Sequence, residues 1–249
     1  MNVLDVRSVT KRFGNLIAVR DVSLSVPKGE LRAVIGPNGA GKTTFFNMIS
    51  GFFAPTSGTI WFDGSDITAL PAHRRVTLGM SRTFQITEIF PELTVFENVR
   101  IGTEVAAGYR LRPWLRAAES ADIRDRVMET LKLTGLAAKA GRLVGELAHG
   151  DQRAAEIATA LALKPHLLLL DEPTAGMGDQ ETYEITQLIR RLHRDGNLTI
   201  VLIEHDMRVV FHLADRITVL DQGAMLAEGT PTEIAANEAV QAAYLGKAA

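Results

Sequence analysis

The sequence predicts an α/β protein: a mixed, mainly parallel core sheet, an N-terminal antiparallel β-subdomain, and an α-helical subdomain inserted into the core. Three observations carry this. The continuous apolar runs LRAVI (31 to 35), LLLL (167 to 170) and LTIVLI (198 to 203) are each followed by helical patterning, as strands covered on both faces are. Residues 3 to 9 and 17 to 26 instead alternate apolar and polar positions, the mark of strands with one solvated face. Between Gln85 and Gly150 the helical period dominates.

In chain order, the alternating segments and IWFDGSDIT, with its Asp63-Gly64 turn, make the small antiparallel sheet. LRAVI leads through a glycine-rich loop into a helix that begins with the run FFNMI. TVFENV and ESADIRDRVMETLKLTGL predict helices of the inserted subdomain, bounded at 86 to 150 within a single domain of 1 to 249, with a break at Pro113-Trp114. A His-Gly-Asp turn at 149 to 151 then opens a helix with Ala155, Ile157, Ala158 and Leu161 at helical spacing. Its first N–H groups and dipole make an anion site by default, although such a turn is most often only a cap. An Ala-rich helix closes the chain near 233 to 245.

Composition narrows the function. The 249 residues, 46% apolar, suffice for one large domain. Basic and acidic residues number 27 and 29 and are scattered, so the electrostatic footprint of a nucleic-acid binder is missing. The Arg-rich pieces KRFG, HRR and YRLRPWLR read as solvated faces. The absence of cysteine removes disulfides, thiolate catalysis and cysteine-ligated zinc. MNVLDVRSVTKRFG has no apolar core of the kind a signal peptide needs, and no run approaches the roughly 18 apolar residues that span a bilayer. Any membrane role is therefore expected to come through a partner.

GPNGAGKT, residues 36 to 43, fits G-x-x-x-x-G-K-[ST] between a strand and a helix, the setting of a P-loop. Gly36, Gly39 and Gly41 let backbone N–H groups wrap a phosphate chain, Lys42 reaches the β and γ phosphates, and Thr43 binds magnesium. LLLLDEP, residues 167 to 173, delivers Asp171 to a strand end, where a carboxylate holds the magnesium through water. Glu172 follows and can orient or deprotonate an attacking water. This second acid favours hydrolysis over simple binding, and no N-K-x-D guanine motif exists. His205, ending IVLIEH, and Gln85 in SRTFQ are each ordinary in isolation. Together they suit a γ-phosphate that needs neutral donors and a water-positioning group besides Lys42.

On these residues the chain resembles the ATP-binding-cassette ATPases along nearly its whole length: GPNGAGKTT, Gln85, LAHGDQR in place of the signature sequence, LLLLDEPTAG and IEHD. The resemblance implies that Asn38, Ala40 and Thr44 join the ATP-binding loop and that Gln85 also contacts the metal. It also implies that Phe13 in KRFG stacks on adenine. In that family two cassettes stack head to tail, so Ala148, His149 and Gly150 would meet the γ-phosphate of ATP bound to a partner subunit. Two departures stand out. Ala148 and His149 replace the usual Ser-Gly, with Asp151 where Gln is common, and Gly178 replaces an acidic residue in the loop crossing the dimer interface.

SRTFQITEIFPELTVFENV and LDQGAMLAEGTPTEIAANEAVQAAYLG are similar to segments of importer ATPases for branched-chain amino acids, a group whose relatives serve urea and short amides. The resemblance implies a second ATPase subunit, identical or different, integral membrane permease subunits, an external solute-binding protein, no nucleic acid, and a peripheral place on the cytoplasmic membrane face. Ile86, Ile89, Phe90 and Leu93 form an apolar cluster that is either core or a dock for a membrane subunit. The competing functions are a soluble superfamily member acting on ribosomes or DNA, and a P-loop kinase. The first usually has paired cassettes or basic patches, and the second has no need of LAHGDQR.

Overall fold

The computed structural model describes residues 1–83, 89–108, 117–196 and 198–245, the side chains of 117–120 and 245 excepted. The chain forms two compact units, one of Met1–Leu78 with Asn197–Ala249, the other of Gly79–Gly196.

The first unit begins with β1 (Asn2–Phe13) and β2 (Leu16–Pro27), which pair antiparallel with Val6 opposite Leu24. Alternation works as expected around Val6, Leu24 and Val26, which are buried while their neighbours are exposed or half-buried, whereas Val3 and Leu4 are buried in succession. Then come β3 (Leu31–Ile35), buried at every position, and α1 (Lys42–Ser50). β4 (Ser57–Phe62) pairs with β1 and, through the Asp63-Gly64 turn, with the two-residue β5 (Ser65–Asp66). Positive φ at both turn residues, 46° and 77°, is what a two-residue hairpin of this hand demands. The antiparallel sheet runs β2-β1-β4-β5, as the alternating pattern predicted. α2 (Ala72–Thr77) corrects one expectation, because Arg75 of HRR is buried rather than solvated. Its guanidinium donates to the carbonyls of Met48 and Ile49 (2.7 Å each), capping the end of α1, and burial pulls its pKa down to about 10.

The second unit opens with β6 (Met80–Arg82), followed by α3 (Val95–Ala106) and α4 (Ala117–Leu133). Thr94 and Glu97 close a reciprocal capping box on α3. α5 (His149–Ala162) packs on both helices. The approach to α3 is close: a Cβ at Gly102 would lie 2.6 Å from the Thr159 carbonyl oxygen, so only glycine fits. β7 (Leu167–Asp171) pairs parallel with β6, and α6 (Asp179–Arg194) lies against α5.

The chain then returns to the first unit. β8 (Thr199–Ile203), α7 (Met207–Leu213) and β9 (Arg216–Asp221) follow, and both strands flank β3 in parallel. β10 (Ala224–Gly229) pairs antiparallel with β9 across a Gln222-Gly223 turn, a hairpin the apolar pattern did not announce. The expected closing helix is in fact two, α8 (Pro231–Ala235) and α9 (Glu238–Leu245). Asn237 divides them: its Oδ1 accepts from the Val240 N–H, starting a second helix where the first has ended. The Pro113-Trp114 break lies outside the described residues. Among those described, no helix is long and apolar enough to cross a membrane.

Candidate active site

In the first unit β3 hands the chain to Gly36, whose φ of 151° and position leave no room for a side chain: a Cβ would lie 2.1 Å from the Leu220 carbonyl oxygen. Gly41, at φ 94°, is the N-cap of α1. No side chain caps that helix and no acidic residue occupies its first turn, so the positive end of the dipole stays available to an anion. Lys42 is buried, its Nζ donating to the carbonyls of Gly36 (2.7 Å) and Pro37 (3.1 Å), which holds the ammonium over its own loop. Asn38, Gly39 and Thr43 are exposed on this loop, Thr44 is half-buried, and Ala40 is buried beneath it. Loop, lysine and open helix end form a cradle that fits a phosphate chain.

Phe13 ends β1 and is 47% exposed. Its ring meets Phe53 edge to face at 5.5 Å, and the Lys11 ammonium lies 5.3 Å from the Phe13 centroid and 4.7 Å from that of Phe53 while donating to the Ala54 carbonyl. The ring is therefore oriented before any ligand arrives. His205 follows β8 with an exposed side chain, and its backbone is fixed by the buried Glu204, whose carboxylate accepts from the N–H of His205 (3.0 Å) and of Asp206 (3.4 Å). Asp206 in turn caps α7. The Arg208 guanidinium bonded to it, outweighing partial burial, holds its carboxyl below the usual range.

In the second unit β7 delivers Asp171 to its buried end, as expected, and Glu172 follows. Sequence reasoning missed the partner of Asp171: Arg82 of β6 donates to its Oδ2 at 2.8 Å in a pair buried on both sides. Glu172 sits at φ 47°, a left-handed conformation that costs a non-glycine residue about 1–3 kcal/mol and is typical of functional turns. Arg153 of α5 spans that turn, donating from Nη2 to the Glu172 carbonyl (2.8 Å) and from Nε to the Pro173 carbonyl (3.1 Å). Its Nη1 pairs with Glu156. One signal was available: Arg153, Glu156 and Ile157 share the helix face whose spacing marks burial.

The start of α5 differs from the expected open anion site. Ala148 is its N-cap without a side-chain bond, and Ala148 and His149 are exposed. The Gly150 N–H, however, donates to Glu181 Oε1 (3.1 Å) from the first turn of α6. The other carboxylate oxygen of Glu181 accepts from the Gly178 N–H (3.4 Å), so one acid serves two helix ends. Asp151 forms an ion pair with Lys139. Gln85 and Ile86 lie outside the described residues.

The ABC transporter family matches residues 19–175, well over half the sequence. The chain belongs to the ABC transporter family. A second family, described as a branched-chain amino acid ATP-binding cassette transporter, matches residues 224–249 of this ABC ATPase. It is 42% identical to the high-affinity branched-chain amino acid transport ATP-binding protein BraF of Pseudomonas aeruginosa, over 99% of this chain and 98% of the relative. LivG of Escherichia coli K12, whose description is the same, is 43% identical over the same shares. Among solved structures, an ABC transporter cassette in its ADP conformation aligns with a TM-score of 0.87 at 30% identity, covering 99% of each chain. A dimeric bacterial ABC transporter cassette aligns with a TM-score of 0.77 at 28% identity, over 92% of this chain and 98% of the other. The fold is that of the cassette ATPases, and ATP is the nucleotide.

Proposed function

We propose that this ABC ATPase energises a membrane importer of branched-chain amino acids. One observation carries the solute class: the match at 224–249 lies outside the nucleotide-binding motifs, in a segment that ATP chemistry alone does not require. Urea and short amides are the nearest alternatives by resemblance, and the experiment below separates them.

In this reading the amides of the 36–43 loop, with Asn38, Ala40 and Thr44, receive the phosphates, Lys42 neutralises the β and γ groups, and Phe13 offers its free surface to adenine. Thr43 and Asp171, with Gln85, would hold Mg2+, which supplies charge neutralisation on the phosphates. The donor set suits that ion, a hard cation that takes few carboxylates and completes its shell with phosphate and water. Glu172 orients and deprotonates the attacking water, while His205 and Gln85 meet the γ-phosphate. Ala148, His149 and Gly150 receive the γ-phosphate of ATP held by a second cassette, identical or paralogous. Without the usual serine that contact lacks one charge-assisted hydrogen bond, worth about 1.5–3 kcal/mol.

The 86–150 segment serves as the helical subdomain of a single 1–249 ATPase domain and as the dock for integral permease subunits. The exposure of Phe90 supports the dock over the core alternative. The residue is 54% exposed while its backbone is clamped by the buried Asn98, through Oδ1 to the Phe90 N–H and Nδ2 to its carbonyl. The protein then sits peripherally on the cytoplasmic membrane face, with an external solute-binding protein completing the system and no nucleic acid involved.

The test is co-purification with membrane permease subunits, reconstitution in proteoliposomes, and ATP-driven uptake of labelled leucine, urea and acetamide. Leucine uptake that ceases in Glu172→Gln is the expected result. Uptake of urea or acetamide without leucine overturns the solute class, and failure to associate with any permease overturns the importer.

A further inference from the structure

We propose that Arg153 is a positioning residue for hydrolysis: by bonding two consecutive carbonyls it holds the left-handed backbone of Glu172 and ties that turn to the start of α5. The inference rests on the reading of Glu172 as the residue that activates water. Two features of the turn require such a brace. Glu172 is a non-glycine residue at φ 47°. It precedes Pro173, and a residue before proline is pressed towards extended backbone. Within the turn itself, the Glu172 carbonyl also accepts from the Ala175 N–H at 3.1 Å. A backbone in a sparsely populated region persists only where its surroundings over-determine it.

Arg153 supplies that determination with a planar fork. It is 5% exposed, and its Nε and Nη2 diverge onto the carbonyls of Pro173 and Glu172 while Nη1 is neutralised by the buried Glu156. A lysine carries the same charge on a single nitrogen and cannot reproduce donors fixed in one plane. Arg153 stands one helical turn beyond His149, on the helix whose start is assigned to the γ-phosphate of a second cassette. A shift of that helix end is thereby delivered to the peptide that aims Glu172. Nothing in the P-loop motif or the strand-end acids encodes this link.

The experiment compares the full chain with Arg153→Lys, Glu172→Gln and the double variant in single-turnover hydrolysis, Mg-ATP binding, thermal unfolding and hydrogen exchange. Arg153→Lys is expected to slow hydrolysis about 10- to 100-fold, the scale of an ångström-level misplacement, with ATP affinity changed by less than about twofold. Added to Glu172→Gln it should slow hydrolysis no further, because both act through one group. Exchange should quicken at Ala175 and Met177 and remain slow in β7. Wild-type turnover in Arg153→Lys beside a dead Glu172→Gln overturns the proposal and leaves the Glu172 reading intact. Full activity in Glu172→Gln overturns the underlying reading instead. A parallel loss of folding, affinity and rate in Arg153→Lys marks a merely structural arginine and also overturns the proposal.

Discussion

Phe13 illustrates how neighbours can prepare a residue for the function proposed for it. A phenylalanine at a strand end is unremarkable by itself, but Phe53 and the Lys11 ammonium fix this ring while leaving it 47% exposed. Phe13→Ala is expected to weaken ATP binding by about 1–3 kcal/mol, roughly 5- to 150-fold, as for other base-stacking aromatics. Titration with a fluorescent ATP analogue measures it, and Phe13→Tyr should restore most of the loss. Asp206 shows the same logic for charge. Its carboxylate caps α7 through the Arg208 N–H, and its pKa lies below the unfolded value. A depressed folded pKa means stability that is present above the unfolded value near 3.8 and lost as pH falls through the lower folded one. Asp206→Ala should therefore cost about 1 kcal/mol at neutral pH. The difference from wild type should shrink on acidification below the ordinary carboxyl range, which thermal unfolding at two pH values would reveal.

Among the elements, the two helix starts proposed to meet phosphate are built differently. α1 begins at a glycine without an acid in its first turn, an end left for phosphate. α5 begins with its Gly150 N–H already bonded to Glu181. A carboxylate there stabilises the isolated chain and, in the proposed reading, would repel an incoming γ-phosphate, because both anions seek the same dipole end. Glu181→Gln keeps the acceptor oxygen and removes the charge. In a Glu172→Gln background it should strengthen ATP-dependent dimerisation severalfold, with a small loss of thermal stability of about 0.3–1 kcal/mol. Sedimentation across a range of protein concentrations tests this, and unchanged association would assign Glu181 to capping alone.

At the scale of the whole molecule, the proposed dock predicts that catalysis and transport are separable. The motifs that handle ATP and the exposed Phe90 occupy different elements, with Phe90 held by Asn98 at the entrance to α3. Phe90→Asp should leave ATP binding and the basal hydrolysis of the purified chain near wild type while abolishing coupled uptake in proteoliposomes. Loss of folding would return the residue to the core.

The sequence by itself determined the α/β class, the strands that lead to Gly36, Asp171 and His205, and the motif residues, because each is written in contiguous periodicity or spacing along the chain. The β9–β10 hairpin escaped notice, since β10 mixes half-buried and exposed positions and offers no clean alternation. The division of the last helix was likewise hidden, turning on one Asn237 cap within an alanine-rich run. Only the tertiary structure decided that Arg82 pairs with Asp171, that Arg153 grips the Glu172 turn, that Glu181 reaches Gly150 and that Arg75 is buried. The physical reason is common to them. A long polar side chain is read from sequence as solvated, and its burial becomes favourable only when folding brings an orphaned carbonyl, N–H or carboxylate from a distant segment within hydrogen-bonding reach.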